Sequence, residues 1–291
     1  MQIQSKQSSG DDVAFAFIQE LAQGLSRKEI ELPSFPDVAL RVRKVLADED
    51  VSAQDIVRVV GAEPALAARI MQMANSSALG HVGRPISDLR AAITRIGFNL
   101  VRSAAIAFAM SQLRRSDDFR PMAASLQSHW ERSSYVAAFA SVVARRFSRI
   151  SPDTALLAGL LHGVGKLYIM TRSIKHPGLF SDQATYHEIE REWSSPIGTA
   201  LLETWAIPPE IVDAVRDHED HSRDHPGAPD LTDVLTVGSM LATFHQYPDT
   251  LELNMQGVRA VERFALDRSA LEMLVSESST EVAQVRQTLG L

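Results

Sequence analysis

The sequence predicts an all-α protein, because apolar residues recur at helical spacing and no alternating strand pattern accompanies them. Two segments show the spacing clearly: Phe15, Ile18, Ala22 and Leu25 share one helical face, and Leu66, Ile70 and Met73 share another. Motifs that favour helix starts are a further observation in the same direction.

Three short motifs mark predicted helix starts. Ser52 and Asp55 fit a capping box, in which each side chain accepts from the other residue's backbone N–H. Ser151-Pro152 and Ser195-Pro196 place a proline directly after a capping serine, and proline is favoured in the first helical turn. We therefore expect helices to begin at these three positions.

Two long helices are predicted near the middle of the chain. The most apolar stretch, Ile96 to Leu113, contains Asn99 and Arg102, so it is better explained as a buried helix than as a membrane span. The segment Pro121 to Phe147 carries one apolar stripe with several alanines, which permit close packing. We expect it to be a long central helix.

Glycine and proline positions divide the chain. They cluster at Gly80 to Pro85, Pro177 to Gly178 and Pro226 to Pro229, which are predicted loops, and we place the domain boundary near Ser116 to Pro121. The predicted parts are a disordered leader at 1–10, an N-terminal helical bundle at 11–115, and a second helical bundle with C-terminal helices at 116–291.

Composition limits the classes of function. The 291 residues include 45% hydrophobic residues and no cysteine, so a sizeable core is possible while disulfides and thiolate chemistry are excluded. A net charge of −7 disfavours nucleic-acid binding, and the polar start of the sequence predicts neither a secretion signal nor a membrane anchor. We expect a cytoplasmic protein without nucleic-acid or membrane partners.

The most informative motif is the segment AGLLHGVGKLYIM, residues 158–170, which places His162, Gly163, Gly165 and Lys166 on an apolar helix. It resembles the signature of HD phosphohydrolases, in which an adjacent His and Asp bind a divalent metal. The Asp position is occupied by Gly163, which has no side chain to act as a ligand. Structural hydrogen bonding is the alternative role for His162.

The chain is identified as similar to the HDOD family, a non-catalytic branch related to the HD phosphohydrolases. The resemblance covers about Leu32 to Leu113, and its landmarks are Leu32-Pro33, Pro36, Glu63-Pro64, Asn75-Ser76, Ala92 and Gly97. Each landmark alone also suits an ordinary helix start, helix end or turn. The resemblance implies an all-α fold whose second bundle is a degenerate HD-like bundle.

The resemblance continues through TWAIPPEIVDAVRDHED, residues 204–220. There His218 matches the first of two paired histidines of HD proteins, and Glu219 replaces the second. Local alignment places Arg132 and Ser194 at two further ligand positions, although His129 lies one turn from Arg132 and leaves that register open. The resemblance therefore implies a site that has lost most of its metal ligands.

A histidine-rich string, DHEDHSRDH, follows at residues 217–225. If the helix continued, His218, His221 and His225 would share one face and could bind zinc adventitiously. Because Pro226 and Gly227 follow at once, we favour an exposed polar helix end and loop.

Three functions are compatible with the sequence. The resemblance favours a non-catalytic regulator of bacterial signal transduction that binds other signalling proteins and holds no metal or cofactor. The alternatives are an HD-type metal-dependent phosphohydrolase acting on a nucleotide, and a sensor that binds a small phosphorylated ligand without turnover. For the sensor, Arg132, Lys166 and His218 are the predicted contacts.

Overall fold

The computed structural model describes most of the chain as helices. It describes residues 2–27, 29–30, 32, 37–46, 48, 51–76 and 85–288. All regular secondary structure in these ranges is helical, which confirms the predicted fold class. The landmark prolines Pro33 and Pro36, and residues 80–84 of the first predicted loop, lie outside the described ranges.

The first five helices begin and end at the following residues: α1 Gln2–Arg27, α2 Asp37–Leu46, α3 Ala53–Gly61, α4 Pro64–Ala74 and α5 Leu89–Arg115. The predicted capping box is present at α3, where Ser52 and Asp55 accept from each other's backbone N–H. Helices α2 to α5 pack on one another through a core that includes Ile56, Leu66 and Ile93. Burial of such apolar faces, more than helix propensity, stabilises short helices of this kind.

Helix α1 begins at Gln2, within the segment 1–10 that the sequence predicts to be a disordered leader. It packs against the second half of the chain, where Phe17 is buried beside the His176 ring. The His176 imidazole also lies 2.9 Å from a carboxylate oxygen of Glu20. The boundaries at 11–115 and 116–291 remain predictions.

Helix α5 contains the predicted buried stretch and a break. Leu100, Val101 and Ala104 are fully buried, and Gly97 has a φ of +74°, which interrupts the helix. Only glycine adopts this backbone conformation readily. The predicted turn at Gly97 is therefore a break within one long helix.

The remaining helices are α6 Ala123–Phe147, α7 Pro152–Leu161, α8 Val164–Ser173, α9 Gln183–Thr204, α10 Pro209–Asp217, α11 Leu231–Phe244, α12 Pro248–Met255, α13 Arg259–Arg263 and α14 Arg268–Thr288. Short 3-10 helices at Asp117–Met122 and Pro177–Ser181 precede α6 and α9. Helix α6 is the predicted central helix, packed on α7, α11 and α14, and it begins after the 3-10 turn that contains Pro121.

The two remaining predicted helix starts have opposite outcomes. Ser151 caps α7 by accepting from the Thr154 N–H, as predicted. The predicted start at Ser195-Pro196 is wrong, because both residues lie inside α9, which begins after Asp182. Buried residues occur on both sides of the proline, so tertiary packing continues the helix through a local start signal.

Two helical stretches, Leu89–Leu113 and Pro152–Ser173, are long and apolar enough to cross a membrane. Within an apolar window of 18 residues in each stretch, 50% of the first window and 89% of the second are buried inside the protein. The second stretch is also divided between α7 and α8 by a turn at His162 and Gly163. Packing in the helical core accounts for the apolar character of both stretches.

Candidate functional site

Three histidines from different helices form the candidate site, which we call the imidazole site: His129, His162 and His218. His129 lies within α6, while His162 and His218 directly follow the last residues of α7 and α10. The His162 and His218 rings meet edge to face, with centroids 5.6 Å apart. The middle of one helix and the ends of two others therefore bring together residues that are far apart in the sequence.

Backbone carbonyls fix two of the rings. His162 Nδ1 lies 2.7 Å from the Gly159 carbonyl oxygen, and His218 Nδ1 lies 2.8 Å from the Val215 carbonyl oxygen. Because a carbonyl only accepts, each Nδ1 carries the proton and donates it. In the neutral ring each Nε2 is then a bare acceptor.

The three imidazoles are held neutral. Burial, followed by the charges of Lys166 and Arg132, lowers the pKa of His129 to about 4. Burial also lowers the pKa of His162 well below its usual value and lowers the pKa of His218. His218 is only 4% exposed, and its Nε2 has no hydrogen-bond partner among the described residues.

His129 takes the space beside Gly163. A Cβ built on Gly163 would lie 2.6 Å from His129 Cε1, far closer than such atoms approach in real proteins. The place where an HD protein would carry its aspartate is thus filled from α6. The sequence showed only that His129 and Arg132 compete for one register, and the structure brings both to the site.

Arg132 is positioned by α11. Its guanidinium donates to Thr243 Oγ1 at 2.8 Å and to Ser239 Oγ at 3.2 Å. One turn earlier, the Thr236 hydroxyl donates to the His218 carbonyl oxygen at 3.0 Å. Sequence reasoning missed these three hydroxyls, although their spacing of three and four residues is that of one helical face.

Lys166 and Glu219 form an ion pair at the edge of the imidazole site. Lys166 Nζ lies 2.9 Å from Glu219 Oε1, and their side chains are 34% and 56% exposed. Burial alone would raise the pKa of Glu219, but the hydrogen bond from Lys166 and the charges of Lys166 and Arg132 hold it below its usual range. Glu219 is therefore ionised and already paired.

Ser194 lies at a close crossing of two helices. A Cβ built on Gly165 would lie 1.8 Å from the Ser194 carbonyl oxygen, so α8 and α9 cross there at very short range. Among the described residues, no hydrogen bond joins the Ser194 side chain to the imidazole site. Its assignment as a former ligand position stays a prediction.

The residues of the imidazole site do not fit a divalent metal. His162 and His218 donate from Nδ1 to backbone carbonyls and present a bare Nε2, which is the orientation that metal-binding histidines use. However, Gly163 offers no carboxylate, Glu219 is engaged by Lys166, and Arg132 adds a second positive charge.

The histidine-rich string at 217–225 does not form one helical face, because α10 ends at Asp217. His218 is buried and His221 is exposed, while His225 is partly buried with its Nε2 2.9 Å from Asp233. The prediction of an exposed helix end and loop thus holds for His221 and is wrong for His218.

One carboxylate cluster in this region has metal-like proximity. Donor atoms of His225, Asp230 and Asp233 lie within 4.8 Å of one another. Arg223 pairs with Asp230 at 2.6 Å, and Arg263 Nε lies 3.4 Å from Asp233. Asp230 and Asp233 also form the capping box of α11. These contacts explain the cluster as an ion-pair network that fixes the loop onto α11.

Solved structures with this arrangement of helices are known. A protein of Shewanella amazonensis SB2B, provisionally named a metal-dependent phosphohydrolase, is 24% identical, with a TM-score of 0.71 over 96% of this chain and 99% of that chain. An HDOD domain protein of Geobacter sulfurreducens with unknown function is 21% identical, with a TM-score of 0.60 over 96% of each chain. At these identities the likeness concerns the fold.

The sequence comparisons identify the family. An uncharacterised protein of Treponema pallidum (strain Nichols) is 22% identical over 220 residues, which are 68% of this chain and 40% of that protein. The chain thus matches less than half of the length of this relative. The sequence model of the HDOD domain matches residues 32–221, from the residues before α2 to the loop after α10. Because this match covers more than half of the chain, the protein belongs to the HDOD domain family.

Proposed function

We propose that the protein is a non-catalytic regulator of bacterial signal transduction that acts by binding other proteins. The observation that carries this proposal is the filling of the aspartate position: Gly163 has no side chain, and the His129 ring packs where one would stand. A metal-dependent hydrolase needs several ligands around one ion to activate water. Here, Arg132 and Lys166 bring positive charge to that place.

The proposed partners are other signalling proteins in the cytoplasm, without nucleic acid or membrane. Docking is proposed in the groove between the two halves of the chain or on an apolar patch of the N-terminal half. A small apolar cleft between the halves supports the first choice; Ala39, Val42, Ile106, Trp205 and Ile207 are among its lining residues. Apolar clefts between packed helices are common docking sites.

Metal analysis of the purified protein, combined with a screen of nucleotides and phosphoesters, tests the non-catalytic proposal. We expect no stoichiometric metal and no turnover. Stoichiometric metal with turnover of a nucleotide would instead support the HD-type phosphohydrolase. For docking, partners captured by the wild-type protein should be lost when both proposed surfaces are altered, and partners that survive both changes would contradict it.

A second candidate function is the sensing of a small phosphorylated ligand without turnover. The specific observation that favours it is the buried His218 Nε2, which has no partner among the residues that the structure describes and lies close to the cations Lys166 and Arg132. Buried polar atoms are usually satisfied, so an unsatisfied one in such a site points to a ligand. A thermal-shift screen of phosphorylated metabolites tests this function, and failure of every compound to bind would contradict it.

A further inference from the structure

The floor and the edge of the imidazole site have opposite hydrogen-bonding character. On the floor, His162 and His218 donate from Nδ1 to backbone carbonyls, so their Nε2 atoms only accept. At the edge, Lys166 and Arg132 only donate. A ligand that satisfies both must therefore bring a donor for the floor and anionic oxygens for the edge.

Glu219 supplies only half of this requirement. Its carboxylate accepts from Lys166 at 2.9 Å, and the charge of Arg132 attracts it as well. As a carboxylate it has no proton to donate, so the His218 Nε2 stays without a partner in the described part of the chain, although Glu219 is the next residue. The Glu219 side chain is 56% exposed and can therefore leave towards solvent.

We infer that Glu219 is a built-in competitor at an anion site, and that hydrogen phosphate or a phosphate ester carrying a hydroxyl group replaces it on Lys166 while donating an O–H to His218. The inference rests on the ligand-sensing function proposed above and states how that site is regulated. No covalent bond forms or breaks in this exchange. Ligand binding would move Glu219 outward, at the turn that joins α10 to the loop before α11.

The accepting Nε2 atoms on the floor of the imidazole site determine which oxyanion fits, because they favour one that carries an O–H group. Hydrogen phosphate keeps at least one O–H near neutral pH, whereas sulfate has none. Sulfate would place oxygen lone pairs against the bare imidazole nitrogens, and a buried acceptor that faces another acceptor is unfavourable. Preference for phosphate over sulfate is therefore the signature of this geometry, whereas a simple cationic patch would take both ions.

Calorimetric titration of inorganic phosphate into the full chain near pH 7.5 tests the inference with three proteins. Glu219→Gln removes the competing charge and should bind phosphate about tenfold more tightly than the wild type. Glu188→Gln removes a similarly exposed glutamate, which pairs with Arg191 at 3.7 Å on α9, and should leave the affinity unchanged. Sulfate should bind Glu219→Gln at least about tenfold more weakly than phosphate.

Two further measurements assign each outcome. Lys166→Met in the Glu219→Gln background should abolish the gain, and circular dichroism with a melting curve should show that each variant is folded. Equal phosphate affinity in Glu219→Gln and Glu188→Gln would overturn the inference, and so would equal affinity for sulfate and phosphate. If the wild type binds a phosphorylated metabolite that Glu219→Gln binds no better, ligand sensing stands while the competitor role fails.

Discussion

At the scale of single residues, Gly163 is the position that bears most directly on whether the imidazole site can bind a metal. An aspartate at position 163 adds one carboxylate as a metal ligand. Its Cβ, however, would lie 2.6 Å from His129 Cε1, and the positive charge of Arg132 is close to the same place. Metal coordination is a collective property, since the charge of the ion must be shared among several ligands. One carboxylate therefore does not recreate a metallohydrolase.

We predict that Gly163→Asp shows neither stoichiometric metal nor phosphoester hydrolysis, and that it loses about 1–3 kcal/mol of unfolding free energy through overpacking against His129. Elemental analysis, a hydrolysis assay and urea unfolding measure these three quantities. Gly163→Ala is the matched control, because it adds the clash without the carboxylate and should lose similar stability. Tight metal binding with turnover in Gly163→Asp would defeat the non-catalytic proposal.

At the scale of helices, the second half of the chain depends on glycines at crossings. A Cβ on Gly165 would lie 1.8 Å from the Ser194 carbonyl oxygen, and one on Gly159 would lie 2.4 Å from the Ala137 Cα. Backbone atoms cannot yield as a flexible side chain can, so the helices would have to separate. Because Gly165 follows Gly163 on the same turn, that separation would also disturb the imidazole site.

Gly165→Ala should therefore be destabilising by about 3 kcal/mol or more, because interiors are close-packed and backbone must move. Gly61→Ala is the matched control: it ends α3, and its Cβ would meet only Leu89 at an ordinary 3.8 Å. That control should change stability by less than about 1 kcal/mol. Comparable urea midpoints for the two variants would contradict the packing argument.

The C-terminal helix α14 is held to α6 by charge. Both Arg145 and Arg146 pair with Glu281, which is 20% exposed, and the Arg286 guanidinium lies 3.7 Å from the centroid of the Tyr135 ring. Partly buried pairs are screened less by salt than exposed ones. Their contribution to stability should therefore exceed that of an exposed pair on the same helix.

We expect Glu281→Gln to lower the unfolding free energy by about 1 kcal/mol, since one change removes the partner of two arginines. Glu272→Gln is the control, because it breaks the exposed pair with Arg268 on the same helix and should cost less than about 0.5 kcal/mol. Urea unfolding at low and high salt measures both losses. A larger loss in the control would refute this account of how α14 is attached.

At the scale of the whole molecule, the sequence predicted the class of fold and the family but only part of the site. Helical periodicity and the caps at Ser52 and Ser151 are local, and they were confirmed. The continuation of α9 through Pro196 and the meeting of His129 with Gly163 depend on tertiary packing, so no local pattern contained them. The hydroxyls on α11 were missed because Ser and Thr at helical spacing have no chemical signature of their own.

At the scale of the whole molecule, the imidazole site makes the stability of the fold depend on pH. Burial and the charges of Lys166 and Arg132 lower the pKa of His129 from 6.5 to about 4. His129 is therefore protonated near pH 6.5 in the unfolded chain but only near pH 4 in the folded chain. The stabilisation from a neutral His129 is fully present above pH 6.5 and is lost as the pH falls towards 4.

We predict that the unfolding free energy falls on acidification below pH 6.5, with His129 contributing a slope of about 1.4 kcal/mol per pH unit and a total of about 3 kcal/mol by pH 4. His162 and His218, whose pKa values are also lowered by burial, add to the slope in the same direction. Urea unfolding at several pH values between 7.5 and 4 measures this fall in unfolding free energy.

His129→Gln removes one of the three titrating histidines of the imidazole site and should make the profile of unfolding free energy against pH shallower over this range, whatever its effect at neutral pH. His187→Gln, which alters an exposed histidine on α9, is the control and should leave the slope unchanged. A His129→Gln profile parallel to that of the wild type would show that His129 is protonated alike in both states, and the account of a desolvated imidazole site would then be wrong.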